Sequence, residues 1–264
     1  MSQLTYLMRE ICAGVEIFYS SKTGGHFCKT AFILCDNYTE LVSKLFLTLD
    51  NPKWSDKRDK EAKKYAKAQQ AVSDALNNNI PPQTTDLEKL VKGAGKDTFK
   101  NYWDVLQDVN IVFDNKRQSE LPLLENFHNK MKQRRELRND FFHSAKLLTL
   151  SVAHRDCVEA FCDLLDYGEL LFQTQWKKEL SAERTLDSLE ILLRLDRKCC
   201  ANPALTNKVN EIFKKCPRYK RRGQKWSIPQ KGFQVIEYPS DLHLILSIID
   251  GGQELRDKLT ALLP

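Results

Sequence analysis

The sequence has no apolar run long enough to cross a bilayer. Its longest apolar runs, residues 30–35 and 147–152, are far shorter than the roughly 20 residues that a membrane-spanning helix needs. The amino terminus also has no short basic region followed by a cleavable apolar stretch. We therefore expect a folded, cytoplasmic protein that neither spans a membrane nor is secreted by a standard signal.

The sequence also lacks the short motifs of nucleotide and metal sites. It contains no Walker phosphate loop, no dinucleotide-binding glycine fingerprint and no Cys-x-x-Cys pair. Its eight cysteines lie mostly in apolar helical stretches. This placement favours reduced thiols that pack as small apolar side chains over a disulfide framework or a zinc site. We predict no cofactor and no metal.

The net charge is +6 and the isoelectric point is near 8.8, which favours anionic partners. The distribution is uneven, because no acidic residue occurs between Glu211 and Glu237. That interval contains the basic residues Lys214, Lys215, Arg218, Lys220, Arg221, Arg222, Lys225 and Lys231. It is a candidate nucleic-acid contact, although a solvated linker and hairpin would show the same pattern.

Apolar residues recur at spacings of three and four along most of the chain, which predicts a mainly α-helical fold. Residues 4–19 and 26–49 are predicted helices. In the second, Asp36, Glu40 and Lys44 form a ladder that we interpret as a solvated face with local ion pairs. Residues 51–100 are charged and contain the breaker NNNIPPQTT, so we expect an insertion there.

Residues 123–172 are too long for one typical helix, and a break near 150–155 would give two. A smaller α+β unit is predicted over 181–264. It would begin with a helix capped by Ser181 and contain a basic β-hairpin around the Pro-Gln-Lys-Gly turn. Helices followed by a basic hairpin are also found in winged-helix proteins.

The most informative motif is RNDFFH, residues 138–143, near the middle of the first of these two helices. Helical spacing stacks Asn139 and His143 at i and i+4, and the long Arg138 side chain can bring its guanidinium back toward them. Cleavage of a phosphodiester requires a group that moves a proton and a fixed positive charge for the pentacoordinate phosphorane. Histidine and arginine supply both without a metal.

In this helical context, RNDFFH resembles the motif of the HEPN superfamily, in which an Arg and a His are separated by four to six residues. The segment KTAFILCDNYTELVSK, residues 29–44, is similar to the second helix of such domains. The resemblance covers residues 1–178, with the insertion at about 51–100, and leaves 181–264 unexplained. It implies a helical bundle.

The family implies a metal-independent endoribonuclease that works as a homodimer with its Arg and His residues at a shared cleft. On this chain, Arg138 would stabilise the phosphorane, His143 would transfer a proton and Asn139 would orient the imidazole or the phosphate. The product would be a 2′,3′-cyclic phosphate, which requires the 2′-hydroxyl of RNA. Many relatives are toxins or anti-phage effectors held silent by an antitoxin or regulatory partner. The Tyr that one toxin branch carries two residues beyond the His is replaced here by Ala145.

Two further pairs of arginines are candidate RNA contacts: Arg134 and Arg135 beside the motif, and Arg221 and Arg222 in the basic segment. His128 and His154 lie on the same pair of helices as the motif, either as supporting groups or on the surface. Two alternatives to the ribonuclease stay open. One is a non-catalytic helical module that binds RNA or a protein. The other is a nucleic-acid-binding regulator that uses the basic carboxy-terminal unit.

Overall fold

The computed structural model describes residues 2–19, 26–57, 59–93, 99–143, 152–214, 249 and 252–263. These residues form eleven α-helices and one 3₁₀ turn, Gln118–Glu120, and contain no β-strand. The helices are α1 (Gln3–Tyr19), α2 (His26–Asp50), α3 (Asp59–Asn77), α4 (Thr84–Gly93), α5 (Tyr102–Lys116), α6 (Leu121–His143), α7 (His154–Phe172), α8 (Thr174–Ala182), α9 (Arg184–Ala201), α10 (Pro203–Lys214) and α11 (Gln253–Thr260). The prediction of a mainly helical protein is confirmed. None of these described helices is long and apolar enough to span a membrane.

The chain divides into two compact units, of which the first comprises Met1–Val42 and Pro122–Pro264. Helix α9 lies at its centre and packs against α1, α7, α8, α10 and α11. The apolar residues of α1 and α7 recur every three or four positions, so each helix buries a continuous stripe. Six of the seven described cysteines are buried in this unit, as the sequence predicts.

A close helix contact occurs where α7 is followed by α8. Phe172 and Trp176 stack with their ring centroids 5.9 Å apart, and Trp176 is almost fully buried. A Cβ atom placed on Gly168 would lie 2.2 Å from Cη2 of Trp176. Gly168 therefore leaves the space that the indole ring occupies.

The second unit is Ser43–Leu121. Phe46 and Phe113 pack in its interior with centroids 5.9 Å apart. Helices α3 and α4 pack against each other, and an antiparallel bridge joins Lys57 to Phe99 on either side of this helical pair. The predicted insertion at about 51–100 lies within this unit.

Most predicted helix positions agree with the structure, and one detail differs. Ser181 does not cap a helix, because it lies within α8 and α9 begins only after Glu183, whose backbone leaves the helical region at φ −91° and ψ 79°. The RNDFFH motif comprises the last described residues of α6, and its predicted position near the middle of a helix depends on residues 144–151, which lie outside the part of the chain that the structure describes. The predicted basic hairpin, with Arg221 and Arg222, lies outside the described residues.

Candidate functional site

The RNDFFH motif lies on α6, which packs beside α2 in the first unit. Phe32 of α2 and Phe141 of α6 are both buried, with ring centroids 6.3 Å apart in an edge-to-face arrangement. This apolar contact fixes the relation between the two helices next to the polar part of the motif. Asn139 and His143 occupy positions i and i+4 of α6, and the His143 side chain lies outside the part of the chain that the structure describes.

Arg138 is held between its own helix and α2. Its Nη1 donates a hydrogen bond to Oδ1 of Asn139 at 3.3 Å, and its Nη2 donates to Oδ1 of Asn37 at 3.5 Å. The Nε atom lies 3.7 Å from Oδ2 of Asp36. The Arg138 side chain is 24% exposed, so it is oriented by protein groups and part of it contacts solvent.

Arg135, one turn earlier, makes the closer ion pairs. Its Nη1 donates to Oδ2 of Asp36 at 2.5 Å and its Nη2 to Oε2 of Glu40 at 3.0 Å. The Asp36 side chain is only 2% exposed. Interpreting Asp36 as part of a solvated ladder is therefore wrong, because this face of α2 packs against α6.

The two arginines and two carboxylates form a charge-balanced group. Burial raises the pKa of Asp36, and the hydrogen bond from Arg135 together with the charges of Arg135 and Arg138 opposes that increase. The net effect is a raised pKa, and the two guanidinium groups limit the increase. Arg135, with two carboxylate partners at shorter distances, supplies most of this compensation and leaves Arg138 the looser contact.

A surface groove of about 350 Å³ lies between α6 and α7. Its lining residues are Phe32, Lys130, Gln133, Arg134, Leu137, Asp156, Glu159 and Asp163. Arg134 and Lys130 both pair with the buried Asp163, Lys130 at 3.1 Å. The groove thus has cations on its α6 side and carboxylates on its α7 side.

The predicted site residues therefore fall into three groups. Arg138 and Asn139 are in contact with each other. Arg134 and Arg135 flank them on α6, and each pairs with a carboxylate, so an RNA phosphate would compete with Asp163 or Asp36 for them. RNA binding by Arg134 and Arg135 stays a prediction. The third group, the His143 side chain with Arg221 and Arg222, lies outside the part of the chain that the structure describes.

His128 has a structural position rather than a catalytic one. It is buried, with its Nε2 3.3 Å from the hydroxyl of Tyr167. Burial, with a smaller contribution from the charge of Lys132, lowers the pKa of His128 to about 4. The ring is therefore neutral near pH 7. His154 belongs to a different cluster, with Asp196 and Cys200, and this is the only metal-ligating group found among the described residues.

Asn37 and Asp36 were not among the predicted site residues. A signal for them was present, since both lie in the α2 segment that resembles a HEPN helix and Asp36 begins the polar ladder. Hydrophobic spacing alone could not show that this polar face meets α6. In comparisons of the chain with protein families, curated proteins and solved structures, no match was found.

Proposed function

We propose that this protein is a metal-independent endoribonuclease of the HEPN type. It would cleave RNA by attack of the 2′-hydroxyl and leave a 2′,3′-cyclic phosphate. The observation that carries the proposal is the contact of Arg138 with Asn139 on α6 and with Asn37 and Asp36 on α2. It joins the two segments on which the family resemblance depends, RNDFFH and residues 29–44.

Arg138 is suited to bind the phosphorane. The amide oxygens of Asn37 and Asn139 orient its guanidinium without cancelling its charge. Asp36 would cancel that charge if it were the main partner, but Arg135 binds Asp36 at a shorter distance. A preoriented cation of this kind typically contributes about 10²–10³-fold to a rate when it meets charge that develops in the transition state.

His143 would transfer the proton, in the direction of the 2′-hydroxyl or of the leaving oxygen. It follows Asn139 by one helical turn, so the two positions share a face of α6. Only RNA carries the internal nucleophile, and DNA of the same sequence would bind without being cleaved.

In this proposal the active form is a homodimer in which two copies of the motif form one cleft. The helical bundle would be followed by a smaller carboxy-terminal α+β unit, which could resemble a winged helix. Arg221 and Arg222 of this unit would deliver RNA to the catalytic cleft. The cellular role would be that of a toxin or anti-phage effector restrained by an antitoxin or regulatory partner.

The test is cleavage of labelled RNA in EDTA by wild type, His143→Ala and Arg138→Ala, with analysis of the fragment ends. Lys132→Ala is the matched control, because it removes an exposed cation from the same helix. We expect cyclic phosphate ends with wild type and Lys132→Ala. Loss of the proton-transfer group should slow cleavage by about 10²-fold or more.

Two results would overturn the proposal. Equal cleavage by wild type and His143→Ala would remove His143 from the chemistry. Cleavage of an RNA with a 2′-deoxy substitution at the scissile nucleotide would exclude 2′-hydroxyl attack. RNA binding without cleavage by any of the proteins, even with a cellular extract added, would favour the non-catalytic binding module.

A further inference from the structure

A second polar cluster joins the start of α7 to the end of α9. It consists of His154, Asp196 and Cys200, whose nitrogen, oxygen and sulfur atoms all lie within 4.8 Å of one another. Nε2 of His154 is 2.8 Å from Oδ2 of Asp196, and Sγ of Cys200 is 3.8 Å from Oδ1 of the same carboxylate. Three different kinds of metal-ligand atom therefore lie close together.

The helical framework explains this convergence. Asp196 and Cys200 are four residues apart on α9, so their side chains lie on one face one turn apart. His154 is the first residue of α7, which packs against α9. The buried carboxylate also accepts a hydrogen bond from the hydroxyl of Tyr19, on α1, at 3.0 Å.

The separations suit a small tetrahedral ion. Zinc binds imidazole nitrogen and carboxylate oxygen at about 2.0–2.2 Å and thiolate sulfur at about 2.3 Å, so neighbouring ligand atoms of a tetrahedron lie roughly 3.3–3.7 Å apart. The observed separations are 2.8 Å from Nε2 of His154 to Oδ2 of Asp196 and 3.8 Å from Sγ of Cys200 to Oδ1, and no two of the three ligand atoms are more than 4.8 Å apart. Side-chain rotations that bring the three atoms to tetrahedral separations would place them around one ion.

We propose that His154, Asp196 and Cys200 form a site for a zinc-class divalent transition-metal ion. Imidazole and thiolate ligands select such ions over magnesium and calcium, which prefer oxygen. The Asp196 side chain has no exposed surface, whereas 44% of the His154 side chain is exposed. The site is therefore closed on the α9 side and open on the α7 side, where water would supply the fourth ligand.

The neighbours of the cluster are those that metal sites commonly have. Ligating histidines are usually oriented by a second hydrogen bond, and ligating carboxylates are themselves hydrogen-bonded. Here the hydroxyl of Tyr19 donates a hydrogen bond to the Asp196 carboxylate. A His154–Asp196 ion pair alone would explain two of the three groups. Cys200, one helical turn after Asp196, adds a thiol within reach of the same carboxylate as the third ligand.

The proposal adds a function that the sequence did not suggest. The ligands come from two helices, and His154 is separated from Asp196 by 42 positions in the chain. A search for Cys-x-x-Cys spacing misses such a set. The ion would fasten α7 to α9 and, through Tyr19, to α1.

The experiment uses the full chain, stripped with a chelator and then titrated with Zn²⁺ by calorimetry and with Co²⁺ by absorption spectroscopy. We expect one tight site and a thiolate-to-cobalt charge-transfer band. Cys200→Ser leaves the His154–Asp196 pair in place, and it should abolish the band and weaken zinc binding by about tenfold or more. Cys199→Ser, the adjacent thiol, is the matched control and should retain both.

Circular dichroism would confirm that each variant is folded before titration. No charge-transfer band in the wild type would overturn the proposal, as would equal zinc binding by wild type and Cys200→Ser. The outcome does not depend on RNA cleavage, which is assayed in EDTA, so the two proposals stand or fall separately.

Discussion

Histidine chemistry in this protein is decided by what surrounds each ring. His128 packs edge-to-face against Tyr167 inside the first unit, and no described residue hydrogen-bonds with its Nδ1. His154, by contrast, meets a buried carboxylate. Burial has the largest effect and lowers the pKa of His154, but the hydrogen bond that the ring makes to Asp196, together with its other neighbours, outweighs burial and raises the pKa to about 9. When no ion is bound, the two histidines on these consecutive helices therefore differ in charge near pH 7, and a metal ion at His154 would displace its proton.

His128 should make the protein sensitive to acid. Its pKa is about 4 in the folded chain and about 6.5 when unfolded, so the unfolded chain binds more protons between these values. The stabilising effect of the neutral ring is thus fully present above about pH 6.5 and is lost as pH falls through about 4. This lowering of the His128 pKa corresponds to a change of ~3 kcal/mol at most in the free energy of unfolding.

Urea unfolding at several pH values would measure this loss in wild type and in His128→Gln, which cannot titrate but can still bond with Tyr167. We expect the unfolding free energy of the wild type, relative to that of His128→Gln, to fall steadily between pH 6.5 and 4. A difference that stays constant over this interval would show that His128 is not the group responsible.

Among single residues, Asp36 is one whose burial could not be predicted from the sequence. Its ladder with Glu40 and Lys44 is what a solvated helix face shows, and nothing in α2 itself separates that case from an ion pair with another helix. Asp36 pairs with Arg135, which is 99 positions away in the chain. The contact between Arg138 and Asn139 could be predicted because the two residues are adjacent on one helix, whereas the contact of Arg138 with Asn37 on another helix could not.

Among the helices, the contact between α7 and α8 depends on one missing side chain. Gly168 is fully inside a helix, where glycine ordinarily costs stability relative to alanine. Here it allows Trp176 to pack directly against the α7 backbone. Helix periodicity predicts α7 correctly but gives no indication of this packing, because a glycine contributes nothing to an apolar stripe.

Gly168→Ala should therefore destabilise the protein despite the better helix propensity of alanine. Its Cβ would collide with the ring of Trp176, and overpacking of this kind typically costs about 1–3 kcal/mol. Urea denaturation would measure the loss. Trp176→Phe removes the colliding atoms, so in that background the same substitution should cost much less. Additive effects of the two substitutions would contradict the direct contact.

For the whole molecule, the sequence predicts the succession of helices better than their grouping. Charge and breakers identify the excursion after residue 50, since α3 and α4 carry few apolar residues. The second unit is nevertheless larger than the predicted insertion at about 51–100, because it begins within α2, at Ser43, and extends to Leu121. A continuous helix gives no local signal where one group of contacts ends and another begins.

The α3–α4 pair should be removable. Lys57 and Phe99 are bridged, and the amide of Lys100 donates to the carbonyl oxygen of Asp56 at 2.5 Å, so the two ends of the excursion lie side by side. Replacing residues 58–98 by a short Gly-Ser linker should leave cooperative thermal unfolding with a similar midpoint. A control deletion of α5, which carries the buried Phe113, should abolish it. Loss of cooperative unfolding in the linker variant would show that α3 and α4 stabilise the rest of the chain.

The buried cysteines are protected from oxidation only while the protein is folded. Burial raises the pKa of the Cys12 and Cys162 thiols to about 12, so in the native state they are protonated and shielded from oxidants. Each unfolding event exposes several thiols at once in a chain that has no native disulfide among its described residues to restore. Under oxidising conditions, the exposed thiols of an unfolded molecule would form disulfides that prevent refolding. The lifetime of the folded protein would therefore depend on the reducing power of its surroundings.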